Sequence, residues 1–298
     1  GDGAEGNEAY FENNEIKVKA KAAVGPAPTV DVDRQIIFAN GAEIKIVAGT
    51  TDGQPNTNTN ILYDKDGNGT IGDTEYLKIG DTDPTDAGYG LGWYMIYGGG
   101  NNTNVERATK ITMTGGKIDY LYGGGLANSS NADVKGTDLI LSGGFVNNRV
   151  YGGGLGLFSK SASVTGDTRV TLSGDVKVNA YVYGGGAAQE TSSTATVTGN
   201  ARVIMTGGTV STSDSSGMGI HGGGDGNIGG SSTVGSATVE MTGGTAAAVY
   251  GGGWAGYSSQ DKVTGAAAVS LSGDAEVSGG VYGGGYTVSG GTSTAGSK

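Results

Sequence analysis

The chain has 298 residues, of which 62 are glycine, 4 are proline and none is cysteine, and its formal charge is −11. The missing cysteine excludes disulfides, thiolate catalysis and Cys-based metal sites. The acidic balance makes nucleic acid and anionic membranes poor partners, because both need Lys/Arg patches; no apolar run is long enough for a transmembrane helix.

Residues 1–28 are polar, with Glu5, Glu8, Glu12 and Glu15, and read as an entry arm draped over the first coil. Residues 29–95 read as an irregular β section. In it, Ile36-Ile37-Phe38 and Ile44, Ile46 and Val47 flank Asn40-Gly41, a two-residue turn signal, so 29–49 is a hairpin or a first, irregular coil. A polar loop then leads into Asp64-Lys65-Asp66-Gly67-Asn68-Gly69-Thr70-Ile71-Gly72-Asp73-Thr74-Glu75. Alternate oxygen-bearing side chains of a tightly turned loop converge on one point, which is the arrangement calcium requires. The expected ligands are Asp64, Asp66, Asn68, Thr70 through its carbonyl, and Glu75 through both oxygens, with Gly69 at the sharp turn. The stretch resembles calcium loops of the EF-hand and dockerin kind. Its flanks depart from that pattern: Ile61-Leu62-Tyr63 and Tyr76-Leu77-Lys78-Ile79 read as strands, not amphipathic helices. The calcium is therefore expected to be structural, since the helices that open in sensors are missing. Asp81, Asp83, Pro84 and Asp86 come next, and Trp93-Tyr94-Met95 leads into the repeat.

From residue 96 to 298 one phrase returns seven times: an aliphatic residue, an aromatic, then three glycines. The aromatics are Tyr97, Tyr122, Tyr151, Tyr183, His221, Tyr250 and Tyr282, at intervals of 25, 29, 32, 38, 29 and 32 residues. Such periods mark a stacked repeat. After each phrase comes a variable Ser/Thr/Asn/Gly arm ending in a short Val-x-Gly strand, such as Val164 to Gly166. A second strand follows with period-two alternation: Ile111/Met113, Leu139/Leu141, Val170/Leu172, Val203/Met205, Val239/Met241 and Val269/Leu271 point inward. A third short strand through Ile118, Val146, Val178, Val210 and Val277 returns to the next aromatic. The Thr/Ser column Thr114, Ser142, Ser173, Thr206, Thr242 and Ser272 is expected to satisfy turn backbone groups.

Three short strands in a coil of about 30 residues, with glycine corners, resemble the pectin-lyase-like parallel β-helix. They are most similar to glycine-rich, non-enzymatic surface and adhesin-like β-helices of bacteria. The resemblance covers 96–298 and implies an all-β, right-handed parallel β-helix (a β-solenoid) of about seven regular coils. It is specific for architecture and weak for function. Kelch blades need longer units, and calcium-binding nonapeptide repeats need a tandem motif that occurs here once, at Gly222 to Asn227. The Ser/Thr/Gly tail from Tyr286 has no capping element, so the parent chain is expected to run on past Lys298.

If Val182 and its equivalents point inward, the seven aromatics point outward as a ladder. That ladder has two readings. The rings can stack on sugar rings beside bare glycines, or they can pack on one another under the variable arm as structure. His221, the sole histidine, reads as a packing variant within that ladder. A hydrolase would need a pair of carboxylates, and a lyase an acidic calcium cluster with a basic residue. The outward Lys110, Asp138, Arg169 and Arg202 supply no such set; the irregular coil 183–221, with its insertion around Asp214, is where one would be sought. The expected protein is thus non-enzymatic, extracellular or on a bacterial surface, with its signal sequence removed. It serves adhesion, ligand binding or spacing, with a polysaccharide or a host or cell-surface protein as partner. The alternative is a polysaccharide lyase or glycoside hydrolase.

Overall fold

The computed structural model describes residues 7–12, 15–20, 27–31, 33–51, 54–66, 68–73, 75–77, 93–213 and 217–296. The insertion around Asp214 and the run containing Asp81, Asp83, Pro84 and Asp86 lie outside the described residues. Among the described residues the fold is all β, and the repeat forms a parallel β-helix of about six turns. Pairing is parallel and in register: Ile111 lies beside Leu139, Leu139 beside Val170, Val170 beside Val203, Val203 beside Val239 and Val239 beside Val269.

Period-two alternation in these strands fixes the core. The inward pairs from Ile111/Met113 through Val239/Met241 are all buried. They meet the column Ile96, Leu121, Val150, Val182, Ile220 and Val249, and the column Ile118, Val146, Val178, Val210 and Ala246, in one continuous core. The last coil is open: Leu271, Val281 and Tyr282 are exposed. A second, smaller core is built from Val134, Val164, Val197 and Val263, the valines of the Val-x-Gly corners, together with Val105 and Val234 at the equivalent positions.

Three expectations change. The strands of a coil are not always separate. In the later coils the Val-x-Gly strand, the alternating strand and the return strand run on as Thr194–Val210, Ser231–Ala246 and Gln260–Val277. The supposedly variable arm holds a further strand. Leu126–Ala127, Leu155–Gly156, Ala187–Ala188, Asp225–Gly226, Trp254–Gly256 and Tyr286–Val288 form their own six-stranded parallel sheet. Third, the hydroxyl column that satisfies backbone groups is not mainly the predicted one: Thr109, Thr137 and Thr168 donate to the carbonyls of Gly123, Gly152 and Gly184, each at 2.6 Å.

The N-terminal section closes one end. Ile36–Phe38 and Ile44–Thr51 pair parallel with the first regular coil, Ile37 beside Ile96 and Ile44 beside Ile111. Residues 36–51 therefore form a rung of the helix. Asn40-Gly41 turns its corner with both residues left-handed, at φ 54° and 84°, and Ala42 N–H donates to Ala39 O at 2.9 Å. Antiparallel strands Thr29–Asp31 and Gln54–Tyr63 then cover the free edges of this rung, which would otherwise present unpaired backbone groups. Asn7–Glu12 and Glu15–Ala20 form a separate antiparallel hairpin, so the acidic arm has structure of its own.

The triple glycines are where consecutive coils approach most closely. A Cβ on Gly152 would collide with the Gly184 carbonyl oxygen, whereas Gly283, in the open last coil, has nothing within 4 Å. Gly152→Ala is expected to destabilise the fold by about 1–3 kcal/mol or more, as overpacking of rigid backbone does. Gly283→Ala should be close to neutral. Chemical denaturation of the two variants checks this, and equal losses would contradict the close-approach account.

Candidate functional site

The loop after Gln54–Tyr63 brings its acids together. Asp64, Asp66 and Glu75 each present an oxygen within 4.8 Å of the others. The backbone sets the geometry. Gly69 is left-handed at φ 87°, and the N–H groups of Asn68 and Gly69 donate to Asp64 at 3.1 and 2.8 Å. Lys65 N–H donates to Glu75 Oε1 at 3.0 Å and Gly72 N–H to Glu75 Oε2 at 2.5 Å. Asn68 and Thr70 lie on the same turn, where Thr70 N–H donates to Asn68 Oδ1 at 2.8 Å. Three convergent carboxylates held by backbone donors are an oxygen-rich, hard-ligand set of the type that suits calcium.

The flank before the loop is the end of the strand Gln54–Tyr63, as expected, while after it Tyr76 makes a single antiparallel bridge to Leu62 and Lys78 and Ile79 lie outside the described residues. Leu77 N–H donates to Ile61 O at 2.7 Å and Tyr63 N–H to Glu75 O at 3.1 Å, so the loop returns onto the strand it left. Leu77 enters the main core. The loop that carries the acidic cluster is therefore tied back to the cap strand by its own backbone and by Leu77.

The aromatic ladder does point away from the main core, but it does not meet solvent. Tyr97, Tyr122, Tyr151, Tyr183, His221 and Tyr250 are buried, and only Tyr282, in the open last coil, is exposed. The six-stranded sheet of the arm covers them, with Leu126, Leu155 and Ala187 against the rings in a second aromatic core. Their faces are occupied by one another: successive centroids from Tyr97 to Tyr282 are 4.7, 4.8, 4.9, 4.9, 4.6 and 4.9 Å apart. Phe38 adds an eighth ring, 5.1 Å from Tyr97. The buried rings are closed to sugar stacking, and the structural reading of the ladder holds. His221 packs as a rung, its Nε2 paired with Gly217 O at 2.8 Å; burial pushes its pKa down to about 4 and keeps it neutral.

Two buried acids escaped the sequence reading. The strand of the arm begins four residues after each aromatic, and this column reads Leu126, Leu155, Ala187, Asp225, Trp254 and Tyr286. Asp225 is its polar break. Its Oδ2 accepts from Tyr151 Oη at 2.7 Å, Gln189 Nε2 at 2.8 Å and Arg149 Nη1 at 2.9 Å. The Arg149 guanidinium lies 4.8 Å from the Tyr181 ring. Burial raises the Asp225 pKa, and Arg149 opposes it. The four-residue offset was the signal that would have found this column.

Asp261 is the second. Its carboxylate accepts from the N–H groups of Gly224 and Gly253 at 3.1 and 2.8 Å and from Ser293 Oγ at 3.0 Å. Burial nevertheless pushes its pKa up to about 7.

The outward charges are paired between coils. Arg169 reaches Asp138 through Nε at 2.9 Å and Nη2 at 2.5 Å, Arg202 reaches Glu240 at 2.6 Å, and Lys110 reaches Glu43 at 2.7 Å. Asp138, one coil before Arg169 and in register with it, is thus its ion-pair partner.

Isothermal titration is expected to show one calcium per chain, lost in Asp66→Ala. Calcium at about a hundred times its Kd should stabilise the wild type by about 2.7 kcal/mol and leave the variant unchanged. Asp261 gives a pH test. An acid whose pKa rises on folding stabilises fully below its unfolded value, here 3.8, and loses that contribution as pH climbs through about 7. Its register partners on either side are Ser232 and Ser293. Relative to Asp261→Ser, the wild type should therefore lose roughly 3 kcal/mol between pH of about 4.5 and about 7.5; a constant difference in urea denaturation would refute this.

Compared with known proteins, the chain matches no family model, no curated protein and no solved structure. Its kinship is stated by architecture alone: an all-β chain whose mostly parallel strands wind into a β-helix of about six turns.

Proposed function

We propose that the chain is a stiff, non-enzymatic rod, secreted or displayed on a bacterial surface, that binds a ligand or spaces another domain from the cell. One structural calcium, held by Asp64, Asp66 and Glu75 with Asn68 and the Thr70 carbonyl, fastens its N-terminal cap. The observation that carries this reading is the uninterrupted aromatic stack from Phe38 to Tyr282, in register through every coil. A repeat that keeps one spacing from end to end is built for length and rigidity. The partner class is a polysaccharide or a host or cell-surface protein.

A second reading, a polysaccharide lyase or glycoside hydrolase, has one observation in its favour. A groove of about 500 Å³ on the outer face is lined by Asp138, Asp167, Arg169 and Arg202, among others. Against it, Asp138 is engaged by two nitrogens of Arg169, and Asp167 accepts from Asn200 N–H at 2.7 Å.

One experiment separates these. The calcium-loaded protein is run through native gels cast with bacterial, plant and mucin-type polysaccharides, and the same polymers are assayed for new reducing or unsaturated ends. Retardation by a polymer without new ends is the expected result. New ends that vanish in Asp138→Asn would establish the enzyme instead, and neither signal would move the reading to a spacer.

A further inference from the structure

After four of the six strands of the covering sheet the chain makes a tight turn with two left-handed central residues, and these turns lie along one edge of the rod. Their closing hydrogen bonds are Lys160 N–H to Leu157 O at 2.9 Å, Gly230 N–H to Asn227 O at 3.0 Å, Ser259 N–H to Gly256 O at 3.2 Å and Gly291 N–H to Val288 O at 3.0 Å. Both central residues of each are left-handed: Phe158-Ser159 at φ 48° and 62°, Ile228-Gly229 at 49° and 77°, Tyr257-Ser258 at 52° and 63°, and Ser289-Gly290 at 48° and 79°. Turns of this kind strongly prefer Asn-Gly. The chain itself uses Asn40-Gly41, both left-handed, for the turn that follows Phe38 in its first coil, beside Gly98 and Gly99. A β-branched or aromatic residue in this conformation is a strained choice.

Three of the four leading positions nevertheless hold large apolar side chains, and all three face solvent: Phe158 is 59 % exposed, Ile228 55 % and Tyr257 58 %. Neither folding term explains them, since the backbone is strained and the side chains bury little. Between Phe158 and Ile228, two coils or about 10 Å apart, lies a hollow of about 430 Å³ completed by Ser159, Glu190 and Thr191. Its walls are fixed from beneath. Ser193 Oγ accepts from Glu190 N–H at 3.1 Å and donates to Glu190 O at 2.6 Å. Asn227, which precedes Ile228, donates to Gln189 at 3.3 Å, and Gln189 donates to the buried Asp225. The buried side-chain atoms left without a hydrogen-bond partner among the described residues are His221 Nδ1, Asp225 Oδ1, Asn227 Oδ1 and Trp254 Nε1, all in the two coils behind Ile228 and Tyr257. Of these departures, the strained, exposed turn tips are the ones that folding does not explain.

We infer that this stripe, Phe158, Ile228 and Tyr257 around the Glu190–Thr191 hollow, is a binding site for a neutral glycan chain. The inference rests on the ligand-binding reading above and names its surface. Apolar side chains alternating with hydroxyls match the apolar faces and rim hydroxyls of sugar rings. The hollow has small-ligand size, while a protein partner needs on the order of 800 Å², more than three turn tips present. Glu190 is the only charged side chain lining the hollow, on a chain of charge −11, which disfavours acidic polymers.

The test is affinity electrophoresis on a mixed-linkage β-glucan, a galactomannan, a xylan, a dextran and, as acidic control, polygalacturonate. The wild type is compared with Phe158→Asn/Ile228→Asn/Tyr257→Asn and with Tyr257→Asn alone. Asparagine suits the left-handed turn, so both variants should unfold at or above the wild-type temperature. At least one neutral polymer should retard the wild type, and the triple variant should bind it at least tenfold more weakly. A retarded wild type with an equally retarded triple variant would sink the site and leave the glycan reading standing. No retardation by any neutral polymer would overturn both. A wild-type dimer in sedimentation velocity that the triple variant converts to a monomer would show the stripe to be a self-association face and overturn the inference.

Discussion

Every feature of the rod depends on one spacing. Parallel strands in register lie about 4.8 Å apart, and the ring centroids from Tyr97 to Tyr282 repeat that distance at 4.6–4.9 Å. Backbone pairing thus forces identical side chains into contact, and only residues that tolerate a copy of themselves at that distance can occupy a column. Flat rings do, at about 0.5–1.5 kcal/mol for each pair beyond simple burial. Aliphatic side chains do so in the main core. Glycine is required where two coils meet backbone to backbone, as at Gly152 and Gly184. Thr137 and Thr168 then hold carbonyls of that glycine strip.

Such a stack is stable along its length and vulnerable at its ends. A rung inside the stack is paired on both sides, while an end rung leaves one edge and one layer of apolar side chains open. At the N-terminal end two antiparallel strands close the edge, and the acidic loop continues directly from one of them. The cation proposed for this loop would tie the cap to the first rung at the point where fraying would begin. A calcium bound within the stack would gain less, because the neighbouring coils already order those residues.

The sequence made the repeat legible because a period-two strand repeated at fixed intervals leaves few alternatives; the inward pairs from Ile111/Met113 to Val239/Met241 stand where alternation placed them. The convergence of Asp64, Asp66 and Glu75 was legible for a similar reason, since they sit within one twelve-residue loop and need no distant partner. The covering sheet was not. Its strands are two or three residues long and read Leu-Ala, Ala-Ala or Asp-Gly, too short for any period to show. The ladder's burial hung on that sheet: alternation could send Tyr151 away from the main core but could not reveal the second layer waiting there. Asp225 and Arg149 were hidden for another reason. They lie 76 residues apart in sequence, and only the winding of the coil brings them together.

In a repeat, the departures from the rule carry the information about function, and they must be sorted by whether folding explains them. Asp225 breaks an apolar column, but Arg149, Tyr151 and Gln189 surround it. That network joins three coils, and a buried pair of this kind is costly to break by removing one partner; structure alone accounts for it. His221 replaces a tyrosine and still stacks at 4.9 and 4.6 Å on its neighbours. The apolar turn tips are different. A left-handed non-glycine residue costs about 1–3 kcal/mol, and Phe158, Ile228 and Tyr257 recover little of it by burial. A chain that places Asn40-Gly41 where only folding matters has the relaxed solution within its own repertoire. Setting that solution aside at three turns along one edge is why we propose that edge, rather than the aromatic spine, as the surface that meets a partner.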